Sequence, residues 1–360
     1  MSEKKFYYQQ LLDFTKEIFL KIGCSEEHAA IASKALLSAD LRGVDSHGIA
    51  RLSGYVRLWE SKRVNAKPAI KIIHETLSTA VVDGDAGLGL VVATYAMQIA
   101  IEKARQVGTG WVSVQNSNHF GIAAHHAMMA LEHDMIGIAM TNASSTVAPT
   151  FSIDRMLGTN PICVVAPAGE QPPFVADLAT TTAANGKLEI LQRKNLEAPH
   201  GWVQDENGNP STDANELKKG GALLPLGSDA DHGSHKGYAL GAIVDIFSAL
   251  LSGANYAPWV PPFPAYLPMP EQQPGKGIGH FLGAMRIDAF RPAAEFKEHM
   301  DNWINGFRSA KTIPGKDKVL IPGDPERETE IERMKNGIHL LSPVIKDLES
   351  LSQKFEIPFD

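Results

Sequence analysis

From about Tyr7 to Ala39 the apolar residues Leu11, Leu12, Phe14, Ile18 and Phe19 recur at helical spacing, and Ser25 followed by Glu26 reads as the cap of a second helix. Residues 1–60 are therefore expected to be mostly helical. The period then changes: Ser78 to Asp83 reads as a strand, Gly84 to Gly89 as a turn and Leu90 to Gln106 as a helix. Further strands are expected at 110–114, 136–141, 162–166 and 173–177, with a helix near 122–132 among them, so the middle of the chain reads as an α/β sheet.

Between Gly201 and Gly221 the composition turns to Asn, Asp, Gly, Pro and Lys, which predicts a solvated loop with no core of its own. A helix follows from about Ser234. The apolar run Tyr238 to Ala254, interrupted by Asp245, is too short and mixed to span a bilayer and reads as a buried helix. Pro258, Pro261, Pro262, Pro264, Pro268, Pro270 and Pro274 then crowd one segment. Proline lacks the backbone donor and fixes φ, so 258–274 is expected to be an irregular arm or lid. A strand at 281–287, a helix at 293–309 and a charged helical region from Pro325 complete the pattern.

A chain of 360 residues exceeds what one hydrophobic core usually spans, which favours lobes sharing a cleft. The expected division is a helical lobe over 1–75, an α/β core over 76–310 and a C-terminal segment over 311–360 that packs on the helical lobe. Apolar residues make up 44% and charged residues 21%, the balance of a soluble globular protein. A net charge of −7 provides no field for a phosphate backbone, so nucleic acid is not an expected partner. Cys24 and Cys163 lie far apart without metal-type spacing and are expected as free thiols in a reducing compartment. Met-Ser-Glu-Lys-Lys runs into the amphipathic pattern with no apolar export segment, so a cytoplasmic location without a membrane partner is expected.

The segment Ala80 to Ala93, a strand followed by Gly84, Gly87 and Gly89 and then a helix, superficially resembles a dinucleotide fingerprint. Counting from Gly87, however, the third position is Val92, where close packing of helix on sheet needs Gly or Ala. The glycines then serve a tight turn, and a bound dinucleotide has to be held elsewhere.

Asp45-Ser-His-Gly-Ile-Ala-Arg51 is the densest polar cluster, and on a helix His47 and Arg51 would share a face. Oxidation of a 2-hydroxyacid needs a base for the hydroxyl proton and a planar cation for the neighbouring carboxylate, which suits this pair. An imidazole that caps a helix and an arginine in a surface ion pair would give the same spacing. Asn116-Ser-Asn-His-Phe-Gly121 follows a strand, where loops present functional groups, so His119 is a second candidate for acid/base work or for orienting a nicotinamide. A hydrogen-bonded structural histidine is the alternative there.

Asp177 ends the apolar run from Pro173, either facing a cleft and supporting an imidazole or capping a loop. Asp231, His232 and His235 could suggest a metal-dependent hydrolase with His119, but the intervening Gly233 and Ser234 read as the entry to a helix, where Lys236 suits a phosphate or ribose. No metal is expected.

Several blocks in order decide among these readings: Asp40-Leu-Arg-Gly-Val-Asp-Ser-His-Gly-Ile-Ala-Arg51, Val82-Asp-Gly-Asp-Ala-Gly-Leu-Gly89, Asn116 to Gly121, Leu157-Gly-Thr-Asn-Pro161, Asp177-Leu-Ala-Thr180, Gly220 to Gly227, His235-Lys-Gly-Tyr238 and Ile321-Pro-Gly-Asp324. Over nearly its whole length the chain resembles the malate/L-lactate dehydrogenase family, which is distinct from the Rossmann dehydrogenases and includes sulfolactate, ureidoglycolate and diketogulonate enzymes. The resemblance implies a non-Rossmann, mixed-sheet α/β fold like that of sulfolactate dehydrogenase, and a homodimer with its active site at the subunit boundary. It implies hydride transfer between NAD, or alternatively NADP, and a 2-hydroxyacid or 2-oxoacid of the malate or lactate type. Reduction of a cyclic imine acid is the runner-up.

By the same resemblance His47 is the acid/base with His119 as rival or helper, Ser46 and Arg51 bind substrate, and Asp177 is catalytic support or a nicotinamide-side contact. Asp177, Leu178, Ala179, His235, Lys236, Gly237, Pro322, Gly323 and Asp324 would line the coenzyme, with His119, Asn142 and Asn160 nearby. Two features depart from the pattern. Asp324 stands where relatives often have glutamate, and the proline-dense arm has no counterpart in it.

Overall fold

The computed structural model describes residues 3–359. The chain opens with a short strand β1 (Glu3–Phe6), then α1 (Tyr8–Lys21) and α2 (Glu26–Leu41), the latter capped by Ser25 Oγ accepting from His28 N–H at 3.1 Å. A 3₁₀ turn at Ile49–Arg51 leads into α3 (Leu52–Glu60). There follow β2 (Lys71–Glu75), β3 (Thr79–Asp83), α4 (Gly89–Val107), β4 (Thr109–Ser117), α5 (Ala123–Met128), β5 (Met135–Thr141), β6 (Ile162–Ala166) and β7 (Phe174–Leu178). An outer region carries α6 (Asn185–Lys194), β8 (Val203–Gln204), β9 (Pro210–Ser211), α7 (Glu216–Lys219) and β10 (Ala222–Leu223). The remainder is α8 (Ser234–Asp245), β11 (Ile278–Arg286), α9 (Ala293–Arg308), α10 (Asp324–Asn336), β12 (Ile338–Leu341) and α11 (Ser342–Phe355).

Seven strands form one mixed sheet in the order β2-β3-β4-β11-β5-β6-β7. Only β3 and β4 run parallel, joined by the crossover helix α4, and every other neighbouring pair is antiparallel. This is the expected mixed α/β architecture. Strand alternation directs Val112 and Val114 into the core shared with α4, whereas Trp111 stacks on Phe281 and Ser113 Oγ donates to the Phe247 carbonyl.

The glycines after β3 show why the Rossmann pattern breaks here. A Cβ on Gly89 would overlap the Asn118 carbonyl oxygen, and one on Gly84 would crowd Asn116 O and Val92. The backbone of Asn116–His119 therefore occupies the space in front of α4 where a Rossmann fold would receive phosphate. Asn118 Nδ2 holds it there by donating to Ala86 O at 2.9 Å and Gly87 O at 3.0 Å.

One core cluster joins Phe6, Leu11, Ile18, Leu36, Leu52 and Tyr55 to Ile338, Leu348 and Ile357, so both ends of the chain share a core. β1 and β12 pair antiparallel beneath it. Residues 1–60 are mostly helical as expected, with β1 added; four residues give too short a pattern to reveal a strand whose partner is β12. Residues 201–221 are also not coreless. Val203, Ala214 and Leu223 close a small cluster with Val147, Leu157 and Leu188, which the polar composition around them conceals.

The run from Tyr238 is helical but only half buried. Gly237, Gly241, Val244 and Ala249 face inward, while Tyr238, Ile246, Phe247, Leu250 and Leu251 are exposed on the other side, past a π-helical turn at Ile246–Leu250. The structured chain reads as apolar on both faces, so sequence alone did not separate core from surface. No helix among the described residues is long and apolar enough to cross a membrane.

His126 and His280 are fully buried. His280 bridges Thr141 Oγ1 and Ser117 Oγ, each at 2.7 Å, and His126 bonds the Phe120 carbonyl at 2.9 Å. Burial pushes His126 down to about 4 and His280 to about 3, with a further depression of His280 from His126. Once unfolded, both take up protons from pH 6.5 downward, so their stabilising contribution is complete above 6.5 and is lost as pH falls toward the folded values. Thermal melts are expected to show Tm falling from pH 6.5 to pH 4, with a smaller fall in His280→Asn; a Tm flat over that window in both proteins contradicts the account.

Candidate active site

Ser46, His47 and Gly48 lie on the turn that links α2 to the 3₁₀ segment, so His47 precedes the helix rather than riding on it. The turn is closed by His47 N–H donating to Val44 O at 2.9 Å. Ser46 Oγ lies 2.9 Å from His47 Nδ1, and Arg51 folds back so that its Nε donates to Ser46 O at 2.6 Å. One Arg51 terminal nitrogen stands 3.8 Å from Glu189 of α6. Burial, reinforced by the Arg51 charge, pushes the His47 imidazole down to about 4, so it is neutral at physiological pH.

His119 follows β4 and faces His47, the two rings lying 5.6 Å apart between centroids and within 24° of parallel. Its Nδ1 lies 2.7 Å from Tyr55 Oη and also receives the Gly121 backbone N–H at 3.4 Å. A backbone N–H can only donate, so Nδ1 carries the lone pair and the ring proton is on Nε2. Tyr55 is then the second donor. Desolvation, with the charges of His47, Arg51 and His280, holds His119 well below its ordinary pKa. His119 is a neutral hydrogen-bond donor whose basic nitrogen is already engaged.

Phe263, from the proline-dense segment, closes this corner. Its ring centroid is 4.8 Å from that of His119 and 5.4 Å from that of Tyr55, and the Arg51 guanidinium lies 5.9 Å from it. The arm is anchored by Arg63 donating to Pro262 O and by Phe263 N–H donating to Ser144 Oγ at 3.1 Å.

A cleft of about 750 Å³ opens beside the turn, lined by Arg42, Ser46, His47, Ile122, Ala123, Thr159, Thr181, Thr182, Lys187, Leu226 and Glu326. Asp177, Leu178 and Ala179 at the end of β7, and Pro322 and Gly323 before α10, complete it. Gly323 has φ +98°, and a Cβ there would press on Val175, so this segment hugs β7. Asp177 opens onto the cleft and accepts Ala124 N–H at 2.8 Å; desolvation by the surrounding walls pushes its carboxyl up to about 6.

The other sequence candidates lie off the cleft lining. Asp324 is buried, accepting from Arg308, Arg327 and Ile321 N–H. Asn142 bonds Asp245, Asn255 O and Gly279 N–H, and Asn160 bonds Gly241 O and Ala143 N–H. His235 and Lys236 are exposed on α8, whose Gly237 packs on the Leu226 backbone. His232 is exposed and bonds Asp229, and among the described residues no group of three His, Cys, Asp or Glu side chains is placed to hold a metal ion.

The cleft suits a nicotinamide dinucleotide. Its apolar walls of Ile122, Val175, Leu178, Leu226 and Pro322 fit flat rings, Lys187 supplies a cation, Arg42 is paired with Glu330 at 3.0 Å, and the N-terminal end of α10 opens beside Pro322–Gly323. A neutral imidazole beside a guanidinium and such a cleft on a mixed sheet fit a dehydrogenase without a Rossmann fold.

The model of the malate/L-lactate dehydrogenase family matches residues 6–349. A malate dehydrogenase of Pyrococcus horikoshii is 41% identical over 346 residues, 96% of this chain and 94% of its own. The structure of malate dehydrogenase from Entamoeba histolytica superposes with a TM-score of 0.92 at 35% identity, covering 99% of each chain. A Delta(1)-pyrroline-2-carboxylate/Delta(1)-piperideine-2-carboxylate reductase of Pseudomonas putida is 30% identical over 250 residues, 69% of this chain and 72% of its own. The chain belongs to the malate/L-lactate dehydrogenase family.

Tyr55, Phe263, Arg42 and Lys187 escaped the reading of the sequence. Tyr55 stands one helical turn beyond Arg51, which was a usable signal, whereas Phe263 sits among prolines with no local pattern. Tyr55→Phe leaves His119 Nδ1 only the long Gly121 contact. Nitrogen-15 NMR of labelled histidine is expected to show mixed His119 tautomers in this variant and Nε2–H alone in the parent, with kcat lowered about tenfold. An unchanged spectrum would remove Tyr55 from the site.

Proposed function

We propose that the protein interconverts a 2-hydroxyacid of the malate or lactate type with its 2-oxoacid, using NAD, with NADP the alternative. One observation carries the reading: a neutral His47, its Nε2 free of hydrogen bonds to described residues, lines the cleft, and Arg51 four residues on is tied back to Ser46 O. The nicotinamide coenzyme, when bound, supplies or takes up the hydride.

His47 Nδ1–H donates to Ser46 Oγ, so Nε2 accepts the substrate hydroxyl proton in oxidation and returns it in reduction. Arg51 grips the carboxylate through its terminal nitrogens, its Nε being committed to Ser46 O. His119 Nε2–H donates to the substrate oxygen and polarises the carbonyl in the reductive direction. Phe263 and Tyr55 exclude water from this corner. Of the two acidic side chains at the start of α10, Asp324 is held by its arginines while Glu326 lines the cleft, and a carboxylate there favours a ribose diol over a 2′-phosphate.

The same reading makes the protein a cytoplasmic homodimer. Two buried free cysteines suit a reducing compartment, and the exposed ridge Tyr238, Ile246, Phe247, Leu250 and Leu251 suits a second copy of the chain. Leu250→Asp is expected to sediment as a monomer where the parent is a dimer. The Pseudomonas putida relative favours a second reading, reduction of a cyclic imine acid, because the same groups could hold a carboxylate beside a protonated imine.

Absorbance of reduced nicotinamide, followed with both coenzymes against 2-oxoacids and cyclic imine acids, separates these substrates. In that assay His47→Ala is expected to lower kcat about 10²- to 10⁴-fold with coenzyme affinity intact. Near-normal turnover would transfer the role to His119. Because the neutral imidazole is the base, kcat/KM for oxidation is expected to rise with pH through about 4 and to level off above it.

A further inference from the structure

We propose that Asp40 is a positioning residue for the chemistry at His47: its buried carboxyl, bonded to Ile49 N–H and seated against Gly48, sets where the Ser46–Arg51 turn stands. The proposal rests on His47 as the proton acceptor.

Asp40 sits in the last turn of α2 and is 1% exposed. Its Oδ2 accepts Ile49 N–H at 2.7 Å, across the turn that carries Ser46 and His47. That N–H opens the 3₁₀ segment leading into α3, so a carboxyl here satisfies one of the donors that a helix start leaves unpaired. Gly48 has φ −91° and ψ −144°, a combination outside the regions that residues with a Cβ ordinarily adopt. Space restricts the position as well, since a Cβ built on Gly48 would land on the Asp40 carboxyl group. The two residues form one contact, an acid on α2 fitted against a bare Cα on the turn.

On the outer side Arg333 of α10 donates to the Asp40 carbonyl oxygen and to the Asp45 carboxylate. The turn is therefore gripped from below by Asp40 and from outside by Arg333. His47 adjoins Gly48, and Arg51 lies three residues on, so a displacement of Gly48 carries both along. Misplacing such groups by about 1 Å costs on the order of a hundredfold in rate. Burial, opposed by the Ile49 bond and reinforced by Asp45, pushes the Asp40 carboxyl up to about 8. At neutral pH it is mostly protonated, so an amide matches it in shape and charge.

The test is steady-state kinetics, Trp fluorescence titration with NADH and thermal melts on D40N, D40A, G48A and D40A/G48A. D40A is expected to lower kcat about ten- to a hundredfold with coenzyme affinity changed less than about twofold, and D40N to recover most of the loss. G48A, which drives the carboxyl aside, is expected to match D40A, and the double variant to add little because both changes break one contact. A folded D40A with parental kcat overturns the proposal, as does D40N no better than D40A. Should D40A not fold, G48A decides in the same way, and should G48A not fold, D40A does. His47→Ala in the same series separates the two readings: if it keeps turnover, the assignment of His47 fails, and if it is inactive while D40A is unimpaired, only the Asp40 proposal fails.

Discussion

The crossing of the Asn116–His119 backbone over Gly84 and Gly89 is the constraint from which the rest of the site follows. β3, α4 and β4 form the one parallel unit of the sheet, and its loop could have received a phosphate at the start of α4. The chain places its own backbone there instead, pinned by Asn118. That choice delivers His119 to the sheet edge and moves the ligand cleft to the ends of β7 and the start of α10. Neither result survives a side chain at position 89.

Desolvation then decides the chemistry. Two imidazoles this close could not both be charged, and burial keeps both neutral. They differ in their hydroxyl partners. Tyr55 and the Gly121 amide consume the basic nitrogen of His119 and leave it a donor, whereas Ser46 Oγ engages Nδ1 of His47, a ring that lines the cleft. Under the proposed function similar rings take complementary tasks, in the way two carboxyls in unlike surroundings divide acid and base roles.

Much of this was legible in the chain. Strands and helices from Thr79 to Ala166 follow their periodicity closely, and the failure of Val92 as a fingerprint position matches the blocked loop. Ser46 and His47 line one cleft with Asp177 to Ala179, whereas Arg51 and His119 are not among its lining residues. What stayed hidden depends on contacts between distant residues. Asp324 looks like a ligand-facing acid in a motif, but Arg308, from another helix, claims it. Asn142 and Asn160 are polar, yet their amides are used up by Asp245 and by backbone groups. The apolar run from Tyr238 misleads about which face lies outward, because its large hydrophobic residues are exposed while small residues such as Gly237, Gly241 and Ala249 face inward. Phe263 reaches His119 through an arm whose prolines suppress any periodicity.

The shared core of Phe6, Leu11, Ile338, Leu348 and Ile357 has a bearing on biosynthesis. Because ribosomes deliver the amino end first, the early helices wait without their packing partners until the last segment emerges. Arg333, which steadies the His47 turn, belongs to that late arrival. The central sheet can gather during elongation, but the reactive corner is braced only once α10 has been made, so a polypeptide cut short of it carries every residue of the turn and lacks the brace that aligns them.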